Sequence, residues 1–211
     1  TGDSDGTLED EYVKREQDPK YGSFTFFKKG SAPVLKNDSA EAWGLIWAFN
    51  GEEPLFPVPG IPGAKESELV YEAHLRGTRG LDPWVAVSNG VDFQHLRTLH
   101  GLSAVDPDAM TVSEYHMEYR IEAPSFVQHG LITAVNTFSQ HLTIGDEELF
   151  MLFTGMPIAH GRTMGFYVYG VRDTGSGRAG AAAKLEGLRG FVQRHIAEDA
   201  PVLDTIRFRP K

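Results

Sequence analysis

Hydrophobic and polar residues alternate along four stretches in the second half of the chain. The stretches are 111–122, 126–142, 148–158 and 163–171, and each mixes β-branched and aromatic residues with polar ones. Alternation with a period of two is typical of strands that bury one face. Short turn-forming sequences separate the stretches, at Ala123-Pro124, Gly145-Asp146 and His160-Gly161. The pattern therefore predicts three or four strands joined by hairpin-like connections.

A helical period follows these strands. After the Gly/Ser/Arg-rich segment 173–180, apolar side chains recur mostly at intervals of three and four, at Leu185, Leu188, Phe191, Val192 and Ile196. This spacing predicts one long helix over 181–199 with a single buried stripe, and we expect Pro201 to end it. Strands followed by one long helix predict an α+β fold, in which an antiparallel sheet curls around the C-terminal helix.

The first half of the chain contains a break in this organisation. Residues 43–49 form an apolar, aromatic-rich stretch and 67–75 a second strand-like one, but 51–63 holds four prolines and three glycines. Such a segment suits neither a helix nor a central strand. We therefore expect three parts: lead-in strands over 1–50, a Pro/Gly linker over 51–63, and the main domain over 64–211.

Candidate chemistry concentrates between Ser88 and Gly101. Asp92, His95 and His100 stand at the spacing D-x2-H-x4-H on a short predicted helix, for which Ser88 or Asn89 is the expected N-cap. Two neutral imidazoles on one such segment can bind a divalent metal ion, provided that the helix unwinds near Gly101 and brings the second ring back. Asp92 lies one turn before His95, where it can orient the ring. A core helix with two structural histidines is the alternative.

The remaining histidines are more typical of structural or surface positions. Four of them fall in predicted strands and one in a turn: His74, His116, His129, His141 and His160. His195 differs, because it lies one turn before Asp199 on the predicted long helix and shares its face. It is therefore the main rival for a ligand role.

Composition and charge exclude several classes of function. The net charge of −9 argues against nucleic acid as a partner. The apolar runs are too short to cross a membrane and the N-terminus lacks a signal-peptide core, so we expect a cytoplasmic protein. With no cysteine there is no disulfide, no thiolate nucleophile and no zinc–thiolate site. Neither a G-x-S-x-G nucleophile elbow nor a phosphate-binding glycine loop occurs.

Three landmarks resemble one known family. The motif N-x2-D-x2-H-x4-H, formed by Asn89, Asp92, His95 and His100, resembles the mononuclear-iron motif of Rieske-type non-haem iron oxygenases, the alpha subunits of ring-hydroxylating oxygenases. The segment WGLIWAFNG at 43–51 resembles the strand that closes the Rieske domain of these enzymes. Glu198-Asp199 with the following Pro201, and RFRP at 207–210, resemble the segment around their last catalytic helix. The resemblance extends over about residues 40–211.

The resemblance implies a fold and a metal site. The fold would be the helix-grip (START-like) arrangement, in which an antiparallel sheet and a long C-terminal helix enclose a ligand cavity. Fe(II) would be held by His95, His100 and Asp199, a facial triad with open positions. Asp92 would bridge an iron-ligand histidine to a Rieske-ligand histidine of the neighbouring subunit in a homotrimer. Asn89 corresponds to a polar position near the iron.

It also implies an activity. The protein would be the terminal component of a mono- or dioxygenase, using Fe(II) and O2 to hydroxylate, demethylate or desaturate a hydrophobic, ring-containing substrate. Electrons would come from NAD(P)H through a ferredoxin or reductase and a Rieske [2Fe-2S] cluster. That cluster needs two cysteines, which this chain lacks, so we expect 1–50 to be the remnant of a Rieske domain whose cluster segment is missing. Two alternatives remain: a metal-free helix-grip module that binds a hydrophobic ligand, and a hydrolase using zinc at the same triad.

Overall fold

The computed structural model describes residues 24–25, 39–49, 53–99, 101, 107–172 and 177–206. The chain divides into two compact units between Val58 and Pro59, a position inside the Pro/Gly-rich segment 51–63. Three sequence features lie outside the described residues: His100, the first half of the predicted linker at 173–180, and the basic tail at 207–210.

The first unit contains a small antiparallel sheet of three strands in the order β1–β3–β2. Its strands are β1 (Phe24–Thr25), β2 (Ser39–Ala42) and β3 (Leu45–Phe49), the last being the aromatic-rich stretch predicted from the sequence. Trp43 and Gly44 both have positive φ angles, which the tight turn between β2 and β3 requires. Trp47 is fully buried, and its Nε1 donates a hydrogen bond to the carbonyl of Ala42 at 3.0 Å.

The second unit is built on a seven-stranded antiparallel sheet with the order β4–β10–β9–β8–β7–β6–β5. Its strands are β4 (Leu69–Arg79), β5 (Met110–Val112), β6 (His116–Ala123), β7 (Phe126–Thr133), β8 (Thr137–Ile144), β9 (Glu147–Ala159) and β10 (Arg162–Arg172). Strands β5 to β10 follow one another as neighbours, as expected for hairpin connections, while β4 pairs with β10 at the far edge. The long segment between β4 and β5 is therefore free to carry other structure.

Two of the predicted strands are each divided into two shorter strands in the structure. The stretch 126–142 turns back at Ala134, which adopts a positive φ, and 111–122 is interrupted before His116. The turn after β7 carries neither glycine nor proline, and its geometry is held from outside, since Gly155 donates its backbone N–H to the carbonyl of Asn136 at 2.8 Å. Local turn chemistry could not reveal a turn that a neighbouring strand stabilises.

The described residues of this unit also form three α-helices: α1 (Pro83–Ser88), α2 (Phe93–Thr98) and α3 (Gly177–Thr205). The long helix is the predicted one, but the expectation that Pro201 ends it was wrong. A proline removes only one N–H from the helical ladder, and the helix continues to Thr205, whose Oγ1 donates to the carbonyl of Pro201. None of the described helices is both long and apolar enough to span a membrane.

The core lies between the sheet and α3. The helix buries Ala181, Leu185, Leu188 and Val192, spaced by four, three and four residues, in one cluster with apolar side chains of β6 to β10. This confirms the predicted α+β class, an antiparallel sheet packed around a long C-terminal helix.

Candidate active site

The candidate site begins with the segment that joins β4 to β5. Pro83 opens α1, a position where its missing N–H costs nothing. Asp82, just before it, accepts a hydrogen bond from the backbone N–H of Gly161 at 2.8 Å, and this bond ties the start of α1 to the hairpin between β9 and β10. Val85 and Val87 are buried where α1 packs against β9. The end of α1 is therefore fixed on the sheet.

A single 3₁₀ turn, Asn89–Val91, follows α1 and redirects the chain. The N-cap of the next helix is consequently Asp92, and the expectation of Ser88 or Asn89 in that role was wrong. Asp92 Oδ1 accepts a hydrogen bond from the backbone N–H of His95 at 3.0 Å, so the carboxylate contacts His95 through its amide. The Asp92 side chain is itself exposed.

The fold brings His95 of α2 against Asp199 of α3. The distance from His95 Nε2 to Asp199 Oδ1 is 3.2 Å, and the two side chains are only 8% and 17% exposed. Donor atoms bound at about 2.1 Å to one metal ion at roughly a right angle lie about 3.0 Å apart. An imidazole nitrogen and a carboxylate oxygen also suit a borderline divalent metal. The pair therefore fits two positions of a metal site.

Asn89 completes this cluster from the 3₁₀ turn. Its Nδ2 donates a hydrogen bond to Asp199 Oδ2 at 3.0 Å. The two oxygens of one carboxylate thus have different neighbours, an amide on one side and an imidazole on the other. Sequence order separates these groups widely, and only the packing of α3 along the sheet brings them together.

The third predicted ligand, His100, falls outside the described residues. Within the ranges that the structure describes, no three histidine or acidic side chains are placed to hold a metal ion together. The triad of His95, His100 and Asp199 therefore stays a prediction, of which the structure supplies one adjacent pair. His195, the rival ligand, lies on the same wall, with its Nδ1 2.9 Å from the carbonyl of Phe191.

A cavity of about 390 Å³ opens beside this cluster. Helices α1 to α3 and the inner face of the sheet enclose it, and most of its lining is apolar or aromatic. The residues that define it are Ala86, Leu96, Phe126, Phe138, Leu142, Ile144, Met151, Phe153, Tyr167, Phe191, Val192, Ile196 and Leu203, together with Asn89, His95, His195 and Asp199. Cavities of a few hundred Å³ with mainly apolar walls and few polar groups are typical of sites for small molecules.

One ionisable group in the wall is held in its neutral form. Burial raises the pKa of the Tyr167 phenol far above its ordinary range, and the negative charge of Asp199 contributes in the same direction. The phenol therefore stays protonated in all ordinary conditions and adds no negative charge to the cavity lining.

Two amides that were not among the predicted site residues, Gln128 and Gln140, also line the cavity. A signal existed in the alternation of the strands. Gln128, Gly130 and Ile132 share one parity on β7, and they occupy buried positions. A polar side chain in phase with the buried face of a strand is unusual and favours a binding role or a satisfied network.

Comparison with known proteins was negative for sequence and positive for structure. No protein-family profile matches the chain. No curated protein sequence matches it either. Several solved structures share its fold, and they are Rieske-type non-haem iron oxygenases.

Three of these structures give the extent of the likeness. NdmA of Pseudomonas putida CBB5 with caffeine is 14% identical over 86% of this chain and 58% of that one, with a TM-score of 0.58. Dicamba monooxygenase bound to 3,6-dichlorosalicylic acid is 14% identical over 88% and 68%, with a TM-score of 0.58. The quaternary ammonium Rieske monooxygenase CntA is 16% identical over 88% and 59%, with a TM-score of 0.56. The chain thus spans little more than half of the NdmA and CntA chains, and at these identities the likeness establishes the fold.

Proposed function

We propose that this chain is the catalytic domain of a Rieske-type non-haem iron oxygenase, which oxidises a small hydrophobic substrate with O2. The observation that carries the proposal is the approach of His95 Nε2 to within 3.2 Å of Asp199 Oδ1 beside an apolar cavity. These are two of the three ligands expected from the sequence resemblance, and they come from helices that are far apart in the chain. The fold shared with solved oxygenases supports the same conclusion.

Fe(II) would be held by His95, His100 and Asp199, and it would supply the activation of O2, since two histidines and one carboxylate leave coordination positions open. The chain's own residues prepare this site. Asn89 fixes one oxygen of Asp199 by its hydrogen bond and so orients the other towards His95. Asp92 caps α2 and thereby positions the backbone that carries His95.

The apolar cavity wall would exclude water and hold the substrate next to the ligands. Phe126, Phe138, Phe153 and Phe191 supply aromatic surface suited to a ring-bearing molecule. The outcome on that molecule would be hydroxylation, demethylation or desaturation. The solved structures of this fold include complexes with caffeine and 3,6-dichlorosalicylic acid, both ring compounds.

Electrons would be delivered from NAD(P)H through a ferredoxin or reductase and a Rieske [2Fe-2S] cluster. Because this chain contains no cysteine, that cluster would be carried by other residues than these 211. Asp92 is exposed at the start of α2, and we assign it the role of bridge to a cluster-binding histidine of a neighbouring subunit in a homotrimer.

Iron binding tests the proposal directly. The protein is reconstituted anaerobically with Fe(II), its metal content is measured, and the EPR spectrum of its nitric oxide adduct is recorded. We expect about one iron per chain and a high-spin signal from a site with open positions. His95→Ala and Asp199→Ala should each lose the iron, whereas His160→Ala, which removes an exposed turn histidine, should retain it.

A second candidate function is a metal-free module that binds a hydrophobic ligand. The largely apolar cavity favours it independently of any metal, and a separation of 3.2 Å also suits a direct contact between an imidazole and a carboxylate. Folded protein that takes up no stoichiometric iron but binds apolar ring compounds would favour this second function over the oxygenase.

A further inference from the structure

Four residues from neighbouring strands form one row across the inner face of the sheet. Tyr119 of β6 pairs with Gly130 of β7, Gly130 with Gln140 of β8, and Gln140 with Met151 of β9. Gly130 carries no side chain, and the Tyr119 ring occupies the space that one would fill. A Cβ at this position would lie only 2.3 Å from the ring. The gap in the row allows Gln128, two residues earlier on β7, to reach both Tyr119 and Gln140.

These side chains form a hydrogen-bonded chain that starts at a backbone carbonyl. Tyr119 Oη donates to the carbonyl of Gly90 at 2.7 Å. Gln128 Nε2 then donates to Tyr119 Oη at 3.1 Å and to Gln140 Oε1. This series of hydrogen bonds therefore runs from the 3₁₀ turn that carries Asn89 to the wall of the cavity.

The direction of every bond in this chain is fixed. A phenol has one proton, and the Gly90 carbonyl can only accept, so the Tyr119 oxygen must accept its second bond. Burial raises the pKa of Tyr119 far above its ordinary range, which keeps that proton in place. Gln128 must therefore direct its NH2 group towards the Tyr119 oxygen, to which it donates one proton. It donates the second proton to Gln140 Oε1. Gln140 is left with its own NH2 group directed away from Gln128.

Among the described residues, the Gln140 NH2 group meets only a weak acceptor. Its Nε2 lies 4.0 Å from Met151 Sδ, and a thioether is a poor hydrogen-bond acceptor. Gln140 is part of the cavity lining and is only partly buried. An orientated N–H donor therefore belongs to a side chain that lines a cavity with otherwise largely apolar walls.

The charges around the cavity restrict what can bind there. Among the described residues that line it, the acidic and basic side chains are His95, His195 and Asp199, and neither lysine nor arginine is present. A carboxylate or phosphate on the ligand would find no lysine or arginine side chain in this lining, whereas a neutral acceptor would find the Gln140 amide. The lining therefore favours neutral ligands over anions.

We infer that Gln140 determines substrate specificity, by donating a hydrogen bond to a carbonyl oxygen or ring nitrogen of a neutral, mostly apolar ring compound. The inference rests on the proposed function insofar as the cavity is the substrate site. Gln128 and Tyr119 are positioning residues, which hold the Gln140 amide in the donating orientation.

Two probe compounds with one ring skeleton test this assignment. α-Tetralone carries a carbonyl acceptor, and tetralin is the same bicycle without it. Dissociation constants of both are measured by calorimetry on the full 211-residue chain without metal, so that iron binding does not enter the result. From these values we define the preference for α-tetralone as the dissociation constant of tetralin divided by the dissociation constant of α-tetralone.

We expect Gln140→Leu to reduce this preference about 3- to 10-fold, the effect of one net hydrogen bond. Gln140→Met, an unbranched replacement, should do the same if the leucine variant folds poorly. Tyr119→Phe should lower the preference less, because it releases the orientation of Gln128 and leaves the donor in place. Gln193→Leu, the same change at an exposed position on α3, should leave the preference at the wild-type value.

An unchanged preference in folded Gln140→Leu and Gln140→Met would overturn the role of Gln140. Failure of the wild-type protein to bind either compound would overturn the substrate class. If the wild-type protein bound no iron but still preferred α-tetralone, that result would contradict the proposed oxygenase and leave this inference standing.

Discussion

The side-chain amide of Asn89 donates a hydrogen bond to Asp199 Oδ2 at 3.0 Å, across 110 positions of the sequence. The bond joins the 3₁₀ turn after α1 to the C-terminal part of α3. The other carboxylate oxygen, Oδ1, faces His95 Nε2 at 3.2 Å. One amide thus sets the rotation of a carboxylate that we assign to a metal ion, and the cluster holds two helices together.

Removing this amide should weaken metal binding and leave the ligands intact. For Asn89→Leu we expect an affinity for Fe(II) about 10- to 100-fold lower, the usual effect of losing a group that orients a ligand. The affinity is measured anaerobically by competition with a chelator. Ser88→Ala, at the exposed neighbouring position, is the control and should bind iron as the wild type does. Equal affinities for wild type and Asn89→Leu would contradict the orienting role.

Asp92 caps α2, and we assign it a second, bridging role that substitution can separate from the first. Asp92→Ala removes the N-cap of α2 and should lower the free energy of unfolding by about 1 kcal/mol, measured by urea denaturation. Asp92→Asn keeps a capping oxygen and should retain nearly all of that stability. If Asp92 also bridges to a Rieske cluster, the asparagine variant should be stable yet slow in accepting electrons from a reduced Rieske partner. If Asp92→Asn lowered the free energy of unfolding as much as Asp92→Ala does, that result would argue against the capping role.

Gly130 provides a test of the packing under the hydrogen-bonded chain. In Gly130→Ala the new Cβ would lie 2.3 to 2.6 Å from ring and hydroxyl atoms of Tyr119, so the ring must move. We expect a loss of about 1 to 3 kcal/mol in the free energy of unfolding. Gly187→Ala is the matched control, because this exposed glycine of α3 has open space around its Cβ position, and alanine there should stabilise by about 0.5 to 1 kcal/mol. Equal effects of the two substitutions would refute the close packing of Tyr119.

His141 predicts how stability depends on pH. Burial lowers the pKa of His141 below its ordinary value of 6.5; the charges of Arg172 and His129 act in the same direction, while Glu148, 3.0 Å away, opposes the shift. The folded protein therefore binds this proton more weakly than the unfolded chain does. The free energy of unfolding should consequently fall as the pH drops below about 6.5 and continue to fall through the folded-state pKa.

The measurement compares urea denaturation at pH 7.5 and pH 5.0 in wild type and His141→Gln. The variant should lose less stability between the two pH values, since it lacks this titrating group. His160→Gln, at an exposed turn, should lose as much as the wild type. A drop of the same size in His141→Gln and wild type would contradict the prediction.

The sequence determined the class of fold, because that information is periodic and local. Alternation with a period of two located the stretches that contain β5 to β10. The apolar spacing of three and four located α3 with its buried Leu185, Leu188 and Val192. The errors arose where distant contacts override local preference. Ala134 turns although its neighbours include neither glycine nor proline, and α3 passes through Pro201.

The sequence also singled out Asp92, His95 and His100 as a spaced motif, and Asn89 and Asp199 through their resemblance to a known family. It could not give their distances. Asp199 reaches His95 because α3 packs against the sheet through Ala181, Leu185, Leu188 and Val192. These side chains share one core cluster with residues of β6 to β10. Likewise, Gln128 and Gln140 meet only because of the strand register. The register places Gly130, which has no side chain, between Tyr119 and Gln140. Periodicity fixes which side chains point inward, whereas only the assembled sheet and helix decide which inward side chains meet.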